Sequence, residues 1–269
     1  YAMHWPFRQP ETARGVRRSA LHDRLAAKGA CFGEVAGWER TNWFAPEGKK
    51  AEYEYTYGRQ NWFEYSAEEC RATREAVAMF DQSSFGKFVL EGEDAEAIIN
   101  NVSANDMSVP VGKLVYTQWL NERGGIEADL TVTREAANKY MVVTAAATQV
   151  RDFQWLKDHI PAGAKATLTD VTSGMAVLSI MGPNSRALLQ SLTHTDMSNE
   201  AFPFGTSQII DLGYARVRAS RVTFVGELGW ELYIATEYAT GVFDAIVAAG
   251  APFGLKHAGY HALNSLRME

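Results

Sequence analysis

A chain of 269 residues, 46% of them hydrophobic, can bury one large core or two ordinary ones. Its net charge of −6 argues against nucleic acid or an anionic membrane as a partner, since the basic run Arg14 to Arg18 is short and local. No apolar run approaches the roughly 18 to 20 residues that span a bilayer, and the opening Tyr1-Ala-Met-His-Trp-Pro6 lacks the regions of a signal peptide.

Residues 1 to about 60 are rich in aromatic, glycine and charged residues, with one helix-like piece at about 17–28 and little periodicity after it. They read as a connector, and the irregular spacing of Trp38, Trp43, Phe44, Trp62 and Phe63 suits docking onto another surface better than one amphipathic face. Ser66-Ala-Glu-Glu69 is a capping-box signature that predicts a helix running to about Phe80. Lys87–Glu91 alternates as a strand, Gly92 turns it, and 94–101 reads as a helix with Ala95, Ile98 and Ile99 on one face. Leu114 to Leu120 and Ala128 to Thr133 form a predicted hairpin about Asn121-Glu-Arg-Gly-Gly125, whose glycines supply positive φ. A third strand follows at 139–144, and then a helix at 148–160 closed by Pro161.

The strand, glycine turn and helix recur at Val177–Met181, Gly182-Pro183-Asn184 and 185–192, with Ser185 a candidate cap, which suggests duplicated α+β halves at 61–170 and 171–269. Strands are expected through 207–220, a helix at 237–249 capped by Thr236, and a last helix from Leu255 to Glu269. The abrupt ends read as cuts from a longer chain.

Arg221-Val-Thr-Phe-Val-Gly-Glu-Leu-Gly-Trp-Glu-Leu-Tyr-Ile234 reads as two short strands about a glycine-permitted bend, with Glu231 inside the second. Either Glu231 alternates outward to water, or it is buried and meets a ligand offering two parallel N–H groups, such as the 2-amino and N3–H edge of a pterin. Asn105 and Asp106 favour a turn, and their loop can also present a carboxylate to a cleft shared with Tyr116 and Glu231. Tyr116, Trp230 and Tyr233 can stack on a flat heterocycle or serve as core aromatics. Cys31 and Cys70 offer neither a disulfide framework nor a metal spacing, which favours a reducing compartment, the cytoplasm or, in a eukaryote, the mitochondrial matrix. His257 and His261 lie four apart on the expected last helix without a zinc-protease glutamate, and no nucleotide-binding glycine motif occurs.

Taken together, Ser103-Ala-Asn-Asp106, the stretch from Tyr116 to Asp129, Met181-Gly-Pro183, Val225-Gly-Glu-Leu-Gly-Trp-Glu231 and Ser265-Leu-Arg-Met-Glu269 resemble the folate-binding half of the sarcosine and dimethylglycine dehydrogenase family. That half is similar to the aminomethyltransferase, or T protein, of the glycine cleavage system. Trp5-Pro6, Gly29-Ala30, Gly37-Trp-Glu-Arg40 and Asn42-Trp43 resemble the segment that joins the family's flavin domain to its folate domain.

The resemblance implies an α+β fold with two ferredoxin-like α/β subdomains forming a tetrahydrofolate cleft. It also implies a flavin (FAD) domain before Tyr1 and a C-terminal β-barrel domain after Glu269, both missing from this sequence. It makes Asp106 the acid that assists one-carbon transfer, Tyr116 a cleft residue, Glu231 the pterin-binding acid, and Arg267 a candidate for the folate tail or another cleft acid. Phe224 stands where the glycine-cleavage enzyme has a tyrosine and Leu263 where it has an arginine, which favours the N-methylamine branch and a small N-methylated amino acid as substrate. The expected activity is capture of the oxidised N-methyl carbon as 5,10-methylenetetrahydrofolate. A stand-alone aminomethyltransferase and a folate-binding module without catalysis are the rivals.

Overall fold

Residues 8–268 are described by a computed structural model. The segment expected as a connector carries a helix, α1 (His22–Ala27), and a hairpin of β1 (Ala30–Val35) and β2 (Trp38–Phe44). Its turn is Ala36-Gly37, both at positive φ (51° and 82°). Alanine is a poor residue for that geometry, so the usual Asn-Gly signal of a two-residue hairpin is missing from the sequence. Two aromatics of this segment dock onto the chain itself, Trp43 stacking on Tyr65 and Trp62 on His261 at centroid distances of 5.7 and 4.1 Å, whereas Phe63 is exposed.

Helix α2 (Phe63–Glu75) starts before Ser66, and no side chain caps it. Glu69 accepts hydrogen bonds from the backbone N–H of Phe44 at 2.9 Å and of Gly259 at 3.0 Å, so the capping-box expectation fails because tertiary partners claim the glutamate. The helix also ends sooner than expected. The run up to Phe80 is instead β3 (Val77–Asp81), whose central position in a sheet overrides its helix-compatible composition.

Two units of strand, glycine and helix recur as expected: β4 (Gly86–Gly92) with α3 (Ala95–Val102), and β9 (Met175–Met181) with α5 (Ser185–Gln190). Gly92 and Gly182 have matching φ angles of 140° and 133°. Ser185 is not the cap; its hydroxyl donates to the Leu228 carbonyl. The first unit belongs to a five-stranded antiparallel sheet with β5 (Leu114–Leu120), β6 (Ile126–Ala136), β7 (Lys139–Thr144) and β8 (Ala166–Asp170), in the order β5-β6-β7-β4-β8. Gly124, at φ 76°, supplies the turn between β5 and β6, and α4 (Gln149–Asp158) follows β7.

The second unit belongs to a six-stranded sheet with β10 (Ser207–Leu212), β11 (Ala215–Ser220), β12 (Gly229–Ala235) and β13 (Leu255–His257), in the order β10-β11-β12-β9-β3-β13. Only the β13–β3 pair is parallel. Arg221 to Val225, expected as a strand, form an irregular arm held where Arg74 donates to the Val225 carbonyl and Glu227. Helix α6 (Ala239–Gly250) starts later than expected, and Thr236 donates to Ser173 rather than capping it. The expected last helix divides into β13 and α7 (Tyr260–Leu266), so His257 and His261 share no helix.

Alternation along the strands sets the layers. Phe88, Leu90, Tyr140 and Val142 of the five-stranded sheet pack under α3 and α4, and Leu178, Ile180, Trp230 and Leu232 of the six-stranded sheet under α5 and α6. The opposite faces meet: Met141 and Val143 pack on Val177 and Tyr233. Helix α7 covers the β3 side of that inward face through Leu263 and Leu266. The result is an α+β fold of helices, sheet, sheet and helices. Among the described residues there is no closed barrel and no helix long and apolar enough to cross a membrane.

Candidate functional site

Along β12, Trp230, Leu232 and Ile234 enter the core beneath the helices, so the alternate residues Glu231 and Tyr233 face the layer between the sheets. Glu231 is 7% exposed, and the expectation that it alternates to water is corrected: β12 is a central strand covered on both faces. Its Oε2 accepts the Tyr233 hydroxyl at 2.6 Å, while Oε1 accepts no hydrogen bond from a described residue. Its cross-strand neighbours are two buried serines, Ser220 and Ser179. Burial pushes the Glu231 carboxyl up to about 7, against the pull of the Tyr233 donation, and burial and the adjacent Glu231 push the Tyr233 phenol above its ordinary range. Tyr233, expected to stack on a heterocycle or serve as a core aromatic, packs in the inter-sheet core and also donates a hydrogen bond to the acid.

Tyr116 lies in register with Thr131, which lies in register with Val143. The same face of the five-stranded sheet therefore turns toward the inter-sheet layer, where Tyr116 is 59% exposed at the edge. Its phenol is raised by a hydrogen bond with Asp129. Asp106 sits in the exposed loop after α3 and accepts the Ser108 N–H at 2.8 Å, an Asx turn. The neighbouring Asn105 fastens that loop along β5, donating from Nδ2 to the Tyr116 carbonyl at 2.7 Å. Arg267 follows α7, with its guanidinium carbon 5.4 Å from the centroid of the Phe224 ring. The structure thus fastens the loop that carries Asp106 to the β5 backbone at Tyr116 and brings Arg267 to Phe224, and it turns Tyr116 and Glu231 toward one layer, while no hydrogen bond links Glu231 to the other four.

Reading the sequence missed two features of this layer. Arg218, in register with Tyr233, forms an ion pair at 2.7 Å with Glu135 of β6, joining the two sheets, and both side chains are largely buried. Gln82 is fully buried beside Ser179, whose hydroxyl donates to its Oε1. The charged alternation of β11 suggests only a solvated face, and Gln82 lies just past a strand end, so neither carried a signal. His257 and His261 are partly buried, and desolvation lowers both to about 4, which keeps them neutral at physiological pH. Burial raises Cys31 to about 12. Among the described residues no group of three or more His, Cys, Asp or Glu is placed to hold a metal.

Comparison with known proteins places this geometry among relatives. The family model for the GCVT N-terminal domain matches residues 21–269. The chain is 46% identical over 269 residues to 4-methylaminobutanoate oxidase (formaldehyde-forming) of Paenarthrobacter nicotinovorans, covering 100% of this chain and 32% of that protein. It is 38% identical over 309 residues to mitochondrial sarcosine dehydrogenase of Homo sapiens, covering 100% of this chain and 33% of that one. Among solved structures, the glycine cleavage system aminomethyltransferase T from Bartonella henselae superposes with a TM-score of 0.77 at 22% identity, covering 94% of this chain and 62% of that one, a likeness of fold. The chain thus spans about a third of the length of these curated relatives.

Proposed function

The chain belongs to the GCVT N-terminal domain family, and from that premise we propose that its inter-sheet layer binds tetrahydrofolate and supports transfer of one carbon from an oxidised N-methyl amino acid. The observation that carries this reading is Glu231, a buried acid with one oxygen committed to Tyr233 and the other open to a ligand. A pterin offers its 2-amino and N3–H groups side by side, and a carboxylate that meets both recovers the solvation it lost on burial.

In this reading a flavin, held elsewhere in a longer protein, supplies the oxidation of the N-methyl group to an iminium. A folate nitrogen then bonds to the iminium carbon, a second folate nitrogen displaces the amine, and 5,10-methylenetetrahydrofolate is formed with loss of a proton. Asp106, exposed in the loop that Asn105 fastens to β5, takes up that proton. Arg267 and Phe224 form the rim, where the guanidinium meets the acidic tail of folate. Holding both reactants in one enclosure replaces an encounter in solution and limits escape of formaldehyde.

Two measurements test the assignment. Glu231→Gln should weaken tetrahydrofolate binding by about 1.5 to 3 kcal/mol in calorimetry, the range for a hydrogen bond to a charged group; unchanged affinity would remove Glu231 from the site. Asp106→Asn should leave amine oxidation in place while methylenetetrahydrofolate falls about a hundred- to ten-thousand-fold and free formaldehyde rises. An unaltered ratio of methylenetetrahydrofolate to amine consumed would make Asp106 a turn residue only.

A further inference from the structure

Gln82 follows β3 directly, with its backbone N–H donating to the Val177 carbonyl of β9 at 2.9 Å. Its side chain is 0% exposed. The Ser179 hydroxyl donates to Oε1, and Nε2 is the other end of the amide. That Nε2 has no hydrogen-bond acceptor among the described residues. A buried amide donor without a partner is unfavourable and uncommon, and asks what it meets when the protein works.

Its place in the sheet supplies the answer. Ser179 stands in register with Glu231, on the same inward face, and residues so paired have Cβ atoms about 4.5–5.5 Å apart. Across β12 and β9 the layer presents the Tyr233–Glu231 pair and then Ser179, and the carboxamide of Gln82, just past the end of β3, meets the Ser179 hydroxyl. The polar atoms left open along this row are one carboxylate oxygen and one amide donor. A ligand that satisfies both carries N–H groups with a carbonyl beside them. The edge of a 2-amino-4-oxopteridine has that order: amino, N3–H, C4=O.

We propose that Gln82 is a specificity-determining residue of the folate site, donating from Nε2 to the pterin C4 carbonyl while Glu231 accepts from the neighbouring N–H groups. The inference rests on the reading of Glu231 as the pterin-binding acid and adds the donor that completes the edge. Ser179 is a positioning residue, acting through Gln82. A site that reads two donors and an adjacent acceptor rejects ring systems lacking the carbonyl, because such a ligand leaves the buried donor unpaired.

The test uses tetrahydrofolate labelled with ¹³C at C4, with calorimetry and infrared difference spectroscopy on the protein and three variants. Gln82→Leu should raise the Kd about ten- to a hundred-fold and move the C4 carbonyl stretch to higher frequency, since its donor is gone. A 4-thio analogue, which keeps N3–H but accepts weakly, should bind less well than tetrahydrofolate to the parent and about equally well to Gln82→Leu. Ser179→Ala, which removes one hydroxyl and keeps Gln82, should shift the same carbonyl band; it supplies the answer if Gln82→Leu does not fold. An unshifted band and unchanged Kd in Gln82→Leu, or an unshifted band in Ser179→Ala where it alone can be measured, would overturn the proposal. With Glu231→Gln still weakening binding, that outcome leaves the folate site standing. If Glu231→Gln changes nothing, the reading beneath the proposal falls and the proposal with it.

Discussion

Glu231 makes stability depend on pH in a definite direction. Its pKa is about 7 when folded against an ordinary 4.5, so between those values the folded state holds a proton that the unfolded chain has released. The folded state is therefore favoured at low pH and loses stability as pH rises from about 4.5 to 7, by roughly 3 kcal/mol in total. Glu231→Gln keeps the shape and removes the titration, so the difference in unfolding free energy between it and the parent, without folate, should grow in the variant's favour from pH 5 to 8. A pH-independent difference in denaturant midpoints would show that the acid is solvated. Lys87 works in the opposite sense. Fully buried, its ammonium donates to the Ser83 and Phe85 carbonyls, and burial lowers it from 10.5 to about 7, so it adds stability as pH rises between those values. Lys87→Met should remove that alkaline rise from the same measurement. The sequence sets Glu231 inside a strand, but the surface opposite comes from Met141 and Val143, about ninety residues earlier. No local pattern near Glu231 encodes that covering, and so its burial was not legible.

The recurrence of strand, glycine and helix was legible because both glycines break strong periodic signals, and the structure gives the physical reason they are glycine. A Cβ on Gly92 would stand 2.1 Å from the Lys165 carbonyl oxygen, and one on Gly182 would stand 2.5 Å from that of Ala76, both at positive φ. Gly92→Ala and Gly182→Ala should each destabilise by about 2–4 kcal/mol, combining backbone strain with a clash that backbone atoms cannot relieve. Thermal unfolding of both variants checks this, and a change under 1 kcal/mol in either would mean that the turn has another conformation available. Helix α2 shows the converse, a strong local signal overruled. Glu69 ties α2 to β2 and to the start of α7 through the Phe44 and Gly259 amides. Glu69→Ala leaves two backbone donors unpaired, one buried and one partly buried, and should cost about 2–5 kcal/mol, whereas Glu69→Gln keeps an acceptor and should cost less. A local capping role would instead make the loss small, near 1 kcal/mol or below. The hairpin of β1 and β2 escaped sequence reading because Ala36 occupies a left-handed position that composition does not suggest.

At the scale of the molecule, two sheets that each cover their own helices must be held together over the layer that contains Glu231. The apolar part of that contact is Met141 and Val143 against Val177 and Tyr233, flanked by Phe85 and Met175, and the Arg218–Glu135 ion pair beside it should carry a measurable share. With side chains only 18% and 10% exposed, the pair is screened by salt far less than a surface bridge. Removing one partner strands the other charge in a desolvated layer. Glu135→Gln and Arg218→Met should therefore each destabilise by about 2–4 kcal/mol, and the double variant by less than the sum, because it leaves no unpaired charge. Lys139, 4.0 Å from Glu135, can take over part of the pairing when Arg218 is removed, so Arg218→Met should be the milder of the two. Denaturant unfolding of the cycle at low and high salt measures the coupling. Additive losses that vanish in high salt would show that the charges face water, and the sheets would then be held by apolar contact and α7 alone.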